Sequence, residues 1–133
     1  MTQFAKGTFV VSLQPLTFEN QDSDQQLGRM SIDKQIYGDL VASTKGQMLS
    51  AMTGVKGSAG YVAVEKVIGV LAGKHGSFML QHAGTMKRGA PSLSVTVVPD
   101  SGTGELNGIE GEFKIDIVEG AHFYEFAYRL PGN

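Results

Sequence analysis

Residues 57–111 read GSAGYVAVEKVIGVLAGKHGSFMLQHAGTMKRGAPSLSVTVVPDSGTGELNGIEG, and how they are assigned decides the fold. Tyr61 to Ala72 is apolar on both sides and could pass for a helix. Tyr, Val and Ile dominate it and Gly69 interrupts it, which makes it a strand. Gly73-Lys74-His75-Gly76 turns the chain into a second strand over Ser77 to Ala83. With Lys74 and His75 as the central turn residues, Leu71 faces Phe78, Gly69 faces Leu80 and Val67 faces His82, with Glu65 one diagonal step away. One face then carries Tyr61, Ala63, Glu65, Val67, Gly69, Leu71, Phe78, Leu80 and His82. The opposite face carries Val62, Val64, Ile68, Val70 and Met79 with Lys66 and Gln81. Ser92 to Val98 is a third strand, stopped by Pro99. Asp100 to Gly108 is a glycine-studded loop with room for one helical turn around Glu105-Leu106-Asn107.

Downstream, Ile109 to Val118 shows the cleanest alternation in the chain, setting Ile109, Gly111, Phe113, Ile115 and Ile117 against Glu110, Glu112, Lys114 and Asp116. A turn at Glu119-Gly120 returns the chain as Ala121 to Leu130, placing His122, Tyr124, Phe126, Tyr128 and Leu130 with the apolar set. Upstream, Phe4 to Phe18 alternates with strand period until Pro15, which ends it or marks an edge. The polar run Glu19 to Gln26 reads as a loop. Arg29 to Tyr37 and Leu40 to Met52 flank Gly38-Asp39, a pair that suits a type II′ hairpin. Eight strands, mostly joined by hairpins and sharing an apolar face, predict an all-β fold. A closed antiparallel β-barrel removes exposed edges, which favours it over a sandwich, the alternative.

Composition agrees. The 133 residues fit a single domain, with hydrophobic residues at 41% and charged residues at 18%. Eighteen glycines against four prolines indicate many tight turns. A net charge of −2 with scattered Lys and Arg argues against a nucleic-acid partner. Neither a signal peptide nor a long apolar run is evident, so no membrane partner and a cytoplasmic location are expected. The absence of cysteine excludes disulfides, thiolate nucleophiles and cysteine-ligated zinc.

Several segments together are distinctive: Gly60-Tyr61, Glu65, Gly76 to His82, Val97-Val98-Pro99, Ser101 to Leu106, and His122-Phe123-Tyr124. They resemble the bacterial domain of unknown function family 3224 over nearly the whole chain, most specifically at Gln81-His82 and Ser101 to Leu106. The resemblance implies an eight-stranded barrel like that of allene oxide cyclase, a relationship of fold, and brings no substrate, cofactor or catalytic residue with it. Asp100 stands where the family pattern leads one to expect glycine.

Most apparent motifs fail on context. Gly69 to His75 imitates a phosphate-binding loop but is one residue short, has His75 where Ser or Thr should bind magnesium, and sits in a hairpin. Gly102-Thr103-Gly104 begins a dinucleotide fingerprint, yet position 107 is Asn and no crossover helix follows. Lys56 to Gly60 lacks the first glycine of a nucleophile elbow. No cofactor is expected. A metal would need His82 and His122 to converge with a carboxylate from separate strands, and His75 reads as a solvated turn residue.

What survives is a cluster on the inner face. Glu65 and His82 are the candidate catalytic residues, as general acid/base or orienting groups, and Tyr61, His122 and Tyr124 are candidate ligand-binding residues. A buried carboxylate needs a partner, so the same cluster also reads as a structural network that fixes strand register. Two functions follow. One is a barrel that binds a small, mainly apolar molecule, with isomerase- or cyclase-type chemistry entering only by analogy of fold. The other is a non-catalytic structural or interaction protein with a filled barrel. The outer set Val62, Val64, Ile68, Val70 and Met79 is more apolar than a solvated sheet face requires, and predicts a homo-oligomer.

Overall fold

The computed structural model describes residues 1–132 and contains strands and turns without a helix. The strands are β1 (Gln3–Leu16), β2 (Leu27–Gly38), β3 (Leu40–Met52), β4 (Ala59–Leu71), β5 (Lys74–Lys87), β6 (Ala90–Val97), β7 (Thr103–Gly104), β8 (Glu110–Val118) and β9 (Ala121–Arg129). They form one antiparallel sheet in the order β4-β3-β2-β1-β9-β8-β6-β5-β7, and β4 pairs with β5 to close it. Eight long strands make the barrel. The short β7 pairs with β5 beyond the end of β6, so β6 and β7 form one line interrupted by the Pro99 loop.

The β4–β5 hairpin turns on Ala72-Gly73, both at positive φ (48° and 84°), with Leu71 paired to Lys74. This is the two-residue X-Gly arrangement whose twist suits adjoining strands, and it recurs at Arg88-Gly89 and Glu119-Gly120. The expected turn at Lys74-His75 is therefore displaced. Val67 faces Phe78, and His82 faces Ala63 instead of Val67. The displacement is an even number of residues, so every side chain keeps its predicted face. At Gly38-Asp39 the register runs Ile36 to Ala42, wider than a two-residue turn, and Gly38 pairs with Gly7 of β1. Pro15 pairs with Met30 one residue before β1 ends, and it marks an edge as expected, because β9 pairs only with Gln3 to Phe9 and leaves the other side of β1 open there. Glu105-Leu106-Asn107 forms a turn in place of the expected helical turn.

The two ends of the barrel differ. At one end Leu40, Leu71, Phe78, Leu106, Ile109 and Leu130 are buried together. The loop after β6 is pinned there: Ser101 Oγ accepts from the Met79 amide at 3.0 Å, and Ser77 and Thr103 hydroxyls meet at 2.6 Å. Stacked rings fill the interior above it, with Phe78–Phe126 centroids 5.5 Å apart and Phe113–Tyr124 at 5.0 Å. At the other end burial fades. Leu93 and Ile117 are 45% and 62% exposed although their strand positions point inward. There β6 and β8 diverge, sharing the single paired position Thr96–Glu112. On the outer wall Val62, Val64, Ile68 and Met79 are exposed.

Candidate functional site: a polar row inside the barrel

Four adjacent strands each contribute one polar side chain to the buried interior: Lys34 from β2, Thr44 from β3, Glu65 from β4 and His82 from β5. Lys34 pairs in register with Thr44, Glu65 with Gly46, and His82 with Ala63. Glu65 Oε2 accepts from Lys34 Nζ at 3.0 Å and lies 2.6 Å from His82 Nε2. Lys34 Nζ also sits 4.8 Å from the centre of the Phe9 ring, a cation–π contact. Gly46 lets β3 approach β4 closely beside Glu65, since a Cβ there would come within 2.6 Å of Glu65 Cα. The inner positions of β6 and β8 carry Leu93, Val95, Val97, Phe113, Ile115 and Ile117, so a polar wall faces an apolar one.

Burial pushes the Glu65 carboxyl up, but the His82 hydrogen bond and the Lys34 ammonium outweigh it and hold the group at about 2 against an ordinary 4.5. Glu65 is thus an anion at neutral pH. A carboxylate only accepts, so His82 donates its Nε2 proton to Glu65. Two atoms of the row have no partner among the described residues: Glu65 Oε1 and Thr44 Oγ1. Both residues are almost sealed, at 2% and 3% exposure.

Above the row, at the open end, lies a cavity of about 460 Å³ lined by Met48, Ser50, Tyr61, Gly84, Met86 and Leu93 among others. Tyr61 separates the cavity from the row. Its ring lies across Gly84, where a Cβ would collide with it, and its centre is 6.5 Å from that of His82. Burial and then the Glu65 charge push the Tyr61 hydroxyl above its ordinary 10.0, so it stays protonated. A larger concavity of about 630 Å³ lies between β1, β9 and β8, lined by Lys6, Lys114, Asp116, Phe123 and Glu125 among others, away from the row.

Of the sequence-predicted residues, Tyr61, Glu65 and His82 come together, whereas His122 and Tyr124 do not join them. His122 packs on Phe9, with centroids 5.0 Å apart. Tyr124 is a structural residue at the sealed end: its hydroxyl accepts from the Leu40 amide at 3.0 Å and donates to the Tyr37 carbonyl at 2.9 Å. Among the described residues no group of three His, Asp or Glu side chains is placed to hold a metal ion. Sequence reasoning missed Lys34 and Thr44. The signal was the parity of Ile32, Lys34 and Ile36, which puts a lysine between two core isoleucines on one strand face.

Ser101 to Leu106, one of the most distinctive segments of the sequence, closes the barrel end. Asp100 adopts φ +62° in that loop, a left-handed conformation that glycine takes freely and aspartate tolerates better than most residues. No curated protein matches the chain. The crystal structure of a protein with unknown function from the DUF3224 family of Shewanella oneidensis MR-1 superposes with a TM-score of 0.93 at 47% sequence identity, with 100% of both chains covered. The family model described as "Protein of unknown function (DUF3224)" matches residues 5–128. On that match and that identity, the chain belongs to the DUF3224 family.

Proposed function

We propose that this protein binds a small, mainly apolar molecule at the open end of its barrel, against Tyr61, whose ring stands between that molecule and the His82–Glu65 pair. The observation that carries the reading is the asymmetry of the interior. One end is sealed by packed aliphatic and aromatic side chains, while the other opens into a cavity whose volume of about 460 Å³ falls in the range of small-molecule sites. Isomerisation by proton transfer enters by analogy of fold, with His82 and Glu65 as the candidate acid/base and orienting groups. Glu65, held at about 2, is too weak a base for that step near neutral pH and serves as the group that orients the imidazole.

The test is a fluorescence titration with N-phenyl-1-naphthylamine, a neutral apolar dye. Saturable binding is expected, reduced at least about tenfold by Ser50→Phe, which fills the cavity. A dye that does not bind, or binds the Ser50→Phe protein equally well, would overturn the reading. The alternative of a filled structural barrel draws on the ring stack of Phe78, Phe126, Phe113 and Tyr124, which leaves the sealed half without space. It predicts no dye binding and unchanged stability in the presence of ligands.

The outer wall supports a second copy of the chain as partner. Val62, Val64, Ile68 and Met79 form an exposed apolar surface on β4 and β5, and a two-fold axis brings such a surface against itself. Sedimentation should show a dimer or larger assembly that Val64→Lys dissociates. A monomer at micromolar concentration removes this proposal.

A further inference from the structure

We infer that two copies of the chain meet mouth to mouth, so that each open rim caps the other and the two cavities join into one chamber. The contact stands without a ligand, and only the use of the chamber rests on the ligand reading. Four connections ring the open end: residues 17–26 between β1 and β2, residues 53–58 between β3 and β4, Arg88-Gly89 between β5 and β6, and Glu119-Gly120 between β8 and β9. Inside that ring Leu13, Met52, Met86, Leu93 and Ile117 take inward positions on five different strands and are still exposed. A mouth lined in this way is an apolar surface without a cover.

Charge on the rim selects the occupant. Residues 17–26 carry Glu19, Asp22 and Asp24 and no cation, whereas the tip of the β5–β6 hairpin carries Lys87 and Arg88. The two connections lie four strands apart in the eight-stranded circle, so an acidic and a basic pole face each other across the mouth. All five residues are exposed, and none forms an ion pair among the described residues. Arg29, at the start of β2, is held on the outer wall by Gln47 Oε1 and the Thr17 carbonyl. A second copy, turned over by a two-fold axis in the plane of the mouth, sets the acidic pole of each chain on the basic pole of the other. Lys56 and Glu119, on the two remaining connections, lie near that axis, where their exposed side chains have solvent to turn into. Both poles are already ordered. The Arg88 amide donates to Ser58 Oγ at 2.9 Å and the Gly89 amide to the Gly57 carbonyl at 3.0 Å, while the Leu27 amide donates to Gln21 Oε1 at 3.2 Å. Association therefore costs little further ordering of these turns.

The experiment is sedimentation at low salt of two charge-reversed proteins, each carrying Val64→Lys so that the outer wall takes no part. One has Lys87→Glu and Arg88→Glu, which make both poles acidic. The other has Glu19→Lys, Asp22→Lys and Asp24→Lys, which make both poles basic. The Val64→Lys protein without reversals should remain a dimer at micromolar concentration. Each reversed protein alone should dimerise at least about tenfold more weakly, and an equimolar mixture should restore the dimer, since every pole then meets its opposite. Exposed turn positions tolerate such changes, and circular dichroism establishes that the variants are folded. A monomeric Val64→Lys protein, reversals that leave the dimer unchanged, or a mixture no tighter than its parts overturns the inference. The chamber has its own readout: release of N-phenyl-1-naphthylamine from the Val64→Lys protein should slow as the protein passes from monomer to dimer. A release rate that ignores dimerisation overturns the closure of the mouths. Failure of the dye to bind at all removes the ligand reading and leaves the contact to stand or fall by sedimentation.

Discussion

Glu65 Oε2 lies 2.6 Å from His82 Nε2 and 3.0 Å from Lys34 Nζ, so a single carboxylate oxygen serves both neighbours while the other oxygen serves none. Loss of that carboxylate leaves the lysine charge buried without its counterion. Glu65→Gln should destabilise the fold by about 3–5 kcal/mol, measured by urea unfolding. Lys34→Met with Glu65→Gln should cost less than the sum of the singles by about 1 kcal/mol or more. Strict additivity would show that the two groups do not interact energetically.

Acid should weaken the protein through the same residue. The folded Glu65 sits at about 2 and its ordinary value is 4.5, so the folded state favours the ionised form. The resulting stabilisation, of order 3 kcal/mol, is fully present above pH 4.5 and is lost as pH falls toward 2. Glu65→Gln should flatten the stability profile across that window. A wild-type profile that is already flat there contradicts the ion pair.

Tyr124→Phe tests the sealed end. The substitution keeps the ring on Phe113 but strips the buried Leu40 amide of its acceptor, at an expected cost of about 1–3 kcal/mol. Thermal unfolding reads the change, and an unaltered midpoint would mean that the amide finds another partner.

At the open end, Gly84→Ala should push the Tyr61 ring off the glycine it covers and destabilise by about 1–3 kcal/mol. Pairing it with Tyr61→Ala should recover part of that loss relative to additivity. The chain has no tryptophan, so tyrosine fluorescence can report the displacement directly.

The sequence made the barrel legible because strand alternation is a local signal. Ile109 to Val118 and its return strand follow it without exception, and the face assignments of Glu65 and His82 hold even though the turn between their strands is misplaced. With the turn at Lys74-His75, Glu65 would be a diagonal neighbour of His82 on one side. With Ala72-Gly73 it is a diagonal neighbour on the other. An even slip keeps both side chains on one face, and a slip of four moves Glu65 from one diagonal of His82 to the other, which is why the pair was readable and its register was not. His122 and Tyr124 show the limit. Parity puts them inside, but height along the barrel depends on how non-consecutive strands are staggered, and no local pattern records that. Lys34 shows the opposite case, a local signal present in the isoleucines at 32 and 36 and outvoted by the expectation that lysine faces water.

The sharing of only Thr96 and Glu112 between β6 and β8 makes this cylinder a rolled strip with a clasp. Every other junction of the wall is zipped over at least seven positions. Thermal opening therefore has a preferred line: the amides of Lys114 to Val118 that face β6 should exchange with solvent before those anywhere in β3 or β4.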